Sequence, residues 1–176
     1  MSVKKLFWID LEMTGLDVER EVIIEVAALI TDLDFNEVET YHSVVKQPSE
    51  FLERMDLWNK SHHGESGLTA AVSSGREPAL VEKDLNELCQ RHFESEPAIL
   101  AGNSIAQDRA FINRYWPEFA KLLHYRMLDV TAWKILMNEK FGIRYAKKNA
   151  HRAIDDIRES LNEMKLYAAQ VKSPQS

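Results

Sequence analysis

Cysteine is nearly missing: Cys89 is the only one in 176 residues, which excludes an intramolecular disulfide and any zinc site built from several thiolates. Six glycines and five prolines are too few for a collagenous or low-complexity chain. No apolar run approaches the roughly 18 residues of a membrane helix. The run Leu6 to Ile9 ends at Asp10, short of the about 7 to 15 apolar residues of a secretory signal, and the N-terminal stretch lacks the Arg-rich, acid-poor character of a transit peptide. These absences predict a cytoplasmic protein with no membrane segment. Positive charge is also in deficit, because 22 Lys and Arg face 28 Asp and Glu for a net charge of −6. A protein that coats long nucleic acid by neutralising phosphates needs the opposite balance. A small or locally bound anionic substrate stays compatible with it.

What is present suits an ordinary globular chain, with 45% hydrophobic and 28% charged residues. The length predicts one domain over residues 1–176 with a short polar tail from about 172. Leu6 to Leu11 and Val22 to Thr31 read as strands, the second buried on both faces, and Glu39 to Lys46 alternates like a third. Short polar links between them predict an antiparallel meander. Phe51 to Val72 reads as short helical fragments with a loop from His62 to Gly67, and Pro78 opens a helix reaching about Phe93 that takes Cys89 into the core. Pro97 to Ala101 and Met127 to Val130 read as further strands, each followed by a helix, the first running from about Gln107 to Trp116 and the second from Thr131 to Lys140. From Arg152 to Val171, apolar residues at Ile154, Ile157, Leu161, Met164 and Ala168 have helical spacing. The fold class is therefore α/β, a mixed sheet with an antiparallel three-stranded meander plus parallel strands, flanked by helices.

Several acids do not suit core elements. Asp10 and Glu12 are two apart on one strand, so they share a face with Leu6 and Trp8 and stand about 6.6 Å apart along the chain. Two such carboxylates disfavour each other's ionisation unless a cation lies between them, and an oxygen-only set suits Mg²⁺ or Mn²⁺. The plain alternative is a strand end entering solvent. Asp108 opens a helix beyond a strand end, and Asp155 and Asp156 open the last helix. Acids in a first turn also simply complement the helix dipole. Five residues turn a helix through about 500°, so His151 and Asp156 serve one site only if His151 lies off the helix, ahead of it with the 147–150 segment. Together Asp10, Glu12, Asp108, His151 and Asp156 are candidates for a two-metal site, where paired cations stabilise the attacking and leaving oxygens of a phosphodiester displacement. Glu25, inside the apolar second strand, reads instead as a structural buried acid that needs hydrogen-bond partners. His62 and His63 are adjacent and cannot both face one pocket.

Asp10-Leu11-Glu12-Met13-Thr14-Gly15-Leu16 followed by Ile23-Ile24-Glu25-Val26-Ala27, then Gly102-Asn103-Ser104 with Asp108, then His151 with Asp156 at H-x4-D spacing, resemble in order the three motifs of the DEDDh 3′-to-5′ exonucleases. Trp58-Asn59, His63-Gly64, His124-Tyr125-Arg126, Asp129-Val130 and Asp155 to Ser160 extend the resemblance to the branch that trims short RNA, over roughly residues 5 to 170. The resemblance implies a ribonuclease H-like fold and two Mg²⁺ or Mn²⁺ ions on Asp10, Glu12, Asp108 and Asp156, with His151 deprotonating the attacking water. It places Leu16 and Trp58 against two bases, takes His63 into the substrate site, sets Ser104, Arg126 and Thr131 around a 5′ phosphate, and has Tyr125 reach across a homodimer. Thr131-Ala132 departs from the family's usual Ser-Thr, which leaves one hydroxyl fewer at that phosphate. Without the resemblance, Leu16 reads as a turn contact, Trp58 as packing and Arg126 as a surface ion-pair partner.

The activity implied is hydrolysis of short oligoribonucleotides, especially dinucleotides, to nucleoside 5′-monophosphates. The alternatives are a related exonuclease acting on DNA ends or structured RNA tails, which needs a longer basic groove, and an inactive nucleotide-binding scaffold, which usually loses ligand residues.

Overall fold

The computed structural model describes residues 4–146 and 152–171. In chain order, β1 (Lys5–Met13), β2 (Ile23–Asp32) and β3 (Glu37–Val44) are followed by the short helices α1 (Ser49–Arg54), α2 (Leu57–Glu65) and α3 (Leu68–Val72), then by α4 (Pro78–Phe93). Next come β4 (Ala98–Gly102), α5 (Ile105–Tyr115), α6 (Pro117–Ala120), β5 (Leu123–Asp129), α7 (Val130–Phe141) and α8 (Ala153–Ala168). The strands form one sheet in the order β3-β2-β1-β4-β5. β1–β2 and β2–β3 are antiparallel, whereas β1–β4 and β4–β5 are parallel. This is the α/β mixed sheet that the sequence predicts. Among the described residues no helix is long and apolar enough to cross a membrane.

The alternation of β1 divides the core. Phe7, Ile9 and Leu11 pack with Val81, Leu85 and Leu88 of α4 and Phe111 and Ile112 of α5. Leu6 and Trp8, on the other face, pack with Val130 of α7 and with Ile157, Leu161, Met164 and Tyr167 of α8. The spacing of these α8 residues gives the helix one apolar stripe, and each side chain so buried contributes roughly 1.5–3 kcal/mol. Trp8 Nε1 donates to Thr31 Oγ1 at 3.0 Å, which satisfies the buried indole. Cys89 lies in the core, where burial pushes its thiol up to about 12, so it is chemically quiet.

Three local expectations are corrected. Residues 62–67 are not a loop: α2 continues through Glu65, and the turn is confined to Ser66 and Gly67, whose φ of 76° is the left-handed value glycine tolerates. Asp56 caps this helix by accepting from the Asn59 amide, but only His63 is buried along it, so no apolar stripe announces it. β5 starts at Leu123 rather than Met127, because Tyr125 and Arg126 occupy an exposed sheet edge and carry no apolar alternation. β1 continues to Met13, which pairs with Ile23 after a register shift. His151, the 147–150 segment and the tail from 172 lie outside the described residues.

Candidate active site

β1 is the central strand, and its even-numbered face carries Leu6 and Trp8 into the core before reaching Asp10 and Glu12. The site therefore begins where that apolar stripe ends. α8 packs on the same face and opens beside those acids, so Asp156 in its first turn meets them. One carboxylate oxygen from each of Asp10, Glu12 and Asp156 lies within 4.8 Å of the others. Asp155, one residue earlier, is exposed and turned outward.

Asp108 stands apart from that group of three. β4 pairs with β1 at Phe7 and Trp8 and then ends at Gly102, leaving the Leu11 amide beyond the reach of a strand partner. Asp108 Oδ1 accepts from that amide at 3.0 Å, inserted between the positions of Asp10 and Glu12. Gly102 lets the end of β4 lie close against β1 and the start of α5: a Cβ there would come within 2.8 Å of Ile9 O and 3.0 Å of Ile105 Cδ1. Burial raises the Asp108 carboxyl, only partly opposed by the Leu11 hydrogen bond.

The acids repel one another. Glu12 is pushed up to about 7, first by burial and then by the charges of Asp156, Glu25 and Asp108. Oxygen-only donors so arranged fit a hard divalent cation, whose charge reverses this penalty. His63 is buried, and its Nε2 lies 3.0 Å from the Met13 carbonyl. Because a carbonyl only accepts, Nε2 carries the proton and Nδ1, 3.9 Å from Glu12 Oε2, holds the lone pair. Burial lowers the His63 pKa, which favours the neutral imidazole. Its neighbour His62 turns elsewhere and stacks on Trp58 with centroids 4.6 Å apart.

The other expected residues are spread over the link between β1 and β2 (Leu16), α2 (Trp58), the start of α5 (Ser104), β5 (Tyr125 and Arg126) and α7 (Thr131). Leu16 and Trp58 are 74% and 66% exposed. The Leu16 carbonyl is fixed by Gln107 Nε2 at 2.7 Å. Ser104, at φ 50°, donates its amide to Asp129 Oδ1 and Thr131 Oγ1, and its hydroxyl meets Thr131 Oγ1 at 3.1 Å. Arg126 lies on edge strand β5 with its guanidinium 5.3 Å from the centre of the exposed Tyr125 ring. Sequence reasoning missed Lys134 and Asn138, which with Ser104 and Thr131 line an open pocket of about 530 Å³. Their spacing of three and seven residues from Thr131 along α7 was the available signal. It also missed Arg152, whose partner Glu25 is far away in the chain.

The RNase_T exonuclease family model matches residues 7–164. E. coli exonuclease I in its zinc-bound complex with single-stranded DNA superposes with a TM-score of 0.77 at 14% identity, over 96% of this chain and 41% of that one. A moderately thermophilic exonuclease I from Methylocaldum szegediense gives 0.71 at 16% identity, over 95% and 41%. The chain thus spans well under half the length of these neighbours, and the likeness is one of fold. Sheet, acids and family model together define an α/β exonuclease. An oligoribonuclease of Francisella tularensis subsp. holarctica is 43% identical over 98% of both chains. The human mitochondrial oligoribonuclease is 42% identical over 93% of this chain and 72% of its own length. The chain belongs to the oligoribonuclease family.

Proposed function

We propose that this chain is a metal-dependent 3′-to-5′ exoribonuclease that hydrolyses short oligoribonucleotides, dinucleotides above all, to nucleoside 5′-monophosphates. The observation that carries the reading is the meeting of Asp10, Glu12 and Asp156 oxygens at the end of β1 in a chain of this family. With Asp108 they would hold two Mg²⁺ or Mn²⁺ ions, which when bound supply charge stabilisation for the attacking and leaving oxygens. His151 takes a proton from the water that attacks the 3′-terminal phosphodiester. The P–O3′ bond breaks, the O3′ of the shortened chain gains a proton, and a nucleoside 5′-monophosphate leaves.

Trp58 stacks on one base, a contact worth about 1–3 kcal/mol for an aromatic platform, Leu16 packs against the other, and His63 closes the site beside Glu12. Ser104, Thr131 and Arg126 receive the 5′ phosphate. Exposed Tyr125 and Met127 on edge strand β5, with Ile135 on α7, support a homodimer in which a second copy covers this edge. The buried thiol of the single cysteine supports a reducing compartment, and we place the enzyme in the cytoplasm.

The test is incubation of purified protein with a 5′-phosphorylated diribonucleotide, its deoxy counterpart and a longer RNA, in Mn²⁺ or in chelator, with products resolved. Metal-dependent monophosphates from the diribonucleotide first are expected. Preference for the deoxy or long substrate would replace this reading with that of an exonuclease acting on DNA ends or RNA tails.

A further inference from the structure

Glu25 is fully buried and pairs directly across the sheet with Glu12, so the two side chains share the face on which α8 packs. All its hydrogen-bond partners among the described residues donate. Its Oε1 accepts from Arg152 Nη2 at 2.7 Å, Arg152 Nε at 2.9 Å and His42 Nε2 at 2.7 Å, while Oε2 lies 3.3 Å from the Ala153 amide. Arg152 is the N-cap residue of α8 but makes no side-chain cap to its own helix. The carboxylate from β2 therefore does that work, taking an orphan amide of the first turn and placing negative charge at the positive end of the helix. One turn further, the Asp156 amide donates to Arg152 O at 3.0 Å. A continuous set of hydrogen bonds thus runs from Glu25 through Arg152 to the backbone of Asp156.

We infer that Glu25 is a positioning residue of the site: by clamping Arg152 and Ala153 it sets the first turn of α8, and with it the Asp156 carboxylate, against the end of β1. The inference rests on the reading of Asp10, Glu12 and Asp156 as the metal-holding group. Glu25 itself is committed to the protein frame, and its clamp reaches the residue that follows His151.

Glu25→Gln isolates the clamp, since an amide in that place must turn its NH₂ toward at least one donor. Arg152→Gln does the same from a partly exposed position and serves if Glu25→Gln fails to fold. In the full-length protein three quantities are read: amide exchange at residues 153–156, affinity for Mn²⁺ alone, and kcat and KM on the diribonucleotide. Either variant is expected to speed exchange at the start of α8 at least about tenfold and to lower Mn²⁺ affinity and kcat by about 10- to 100-fold, with KM within about twofold. The double variant should be no worse than the poorer single one. A lower melting temperature with unchanged exchange, Mn²⁺ affinity and kcat would overturn the inference and leave a merely structural ion pair. If the wild-type protein turns over no RNA, the functional reading fails, while exchange and Mn²⁺ affinity still decide the role of Glu25.

Discussion

Glu12 and Glu25 face each other across β1 and β2, carry the same side chain and point to the same side of the sheet, yet their carboxyls are driven in opposite directions. Burial raises Glu12, and the charges of Asp156, Glu25 and Asp108 raise it further, to about 7. Burial also acts to raise Glu25, but hydrogen bonds from His42 and Arg152 outweigh it and hold that carboxyl below its ordinary value. Burial acts to raise both carboxyls, so burial does not decide the outcome. The neighbours do: donors and a cation surround one acid, acids surround the other. Glu25 is finished as part of the frame. Glu12 keeps a penalty that an incoming cation relieves.

The largest effect should come from separating adjacent acids that burial treats differently. Asp156→Asn is expected to lower turnover of the diribonucleotide by roughly 10³- to 10⁵-fold, whereas Asp155→Asn should stay within about twofold. Steady-state rates of the two variants check this, and equal losses would contradict the geometry. His151→Ala should reduce the rate by roughly 10²- to 10⁴-fold with Mn²⁺ affinity retained. A loss of affinity as severe as that of Asp156→Asn would make the histidine a ligand.

A smaller effect sharpens the contrast of the two glutamates. Glu12 has a folded pKa near 7 against an ordinary 4.5, so its favourable contribution is complete below about 4.5 and is lost as pH rises through about 7. Glu25 has a lowered pKa, so its contribution is present above the ordinary value and is lost as pH falls through the folded one. In chelator, Glu12→Gln should therefore gain stability relative to wild type between pH 5 and pH 8, by about 1–3 kcal/mol, measured by denaturant unfolding. Saturating Mn²⁺ should erase or reverse that gain. A gap independent of pH would mean that Glu12 is not under repulsion. Smallest is Trp58→Ala, expected to weaken diribonucleotide binding by about 1–3 kcal/mol in a titration at fixed salt, with folding unchanged.

Much of the frame was legible because it is periodic. The continuous apolar run of β2 and the helical spacing of Ile157, Leu161 and Met164 mark elements whose burial is set by their own sequence. β5 and α2 were blurred for the opposite reason: Tyr125 and Arg126 lie on an exposed edge, and α2 buries only His63. At the site, spacing on one strand puts Asp10 and Glu12 on one face, and the resemblance at H-x4-D spacing selects Asp156 over Asp155. The displacement of Asp108 to the Leu11 amide depends on where β4 stops, which no local pattern states. The clamp between Glu25 and Arg152 joins residues 127 positions apart, so only the folded chain reveals it.

The most direct test is turnover of a 5′-phosphorylated diribonucleotide in Mn²⁺ by wild-type protein and Glu12→Gln side by side. Release of two nucleoside 5′-monophosphates by the wild type, with at least about 10³-fold less from the variant, is the expected result. Equal rates, or no release by either protein, would contradict the assignment of this acidic strand end to metal-assisted hydrolysis of short RNA.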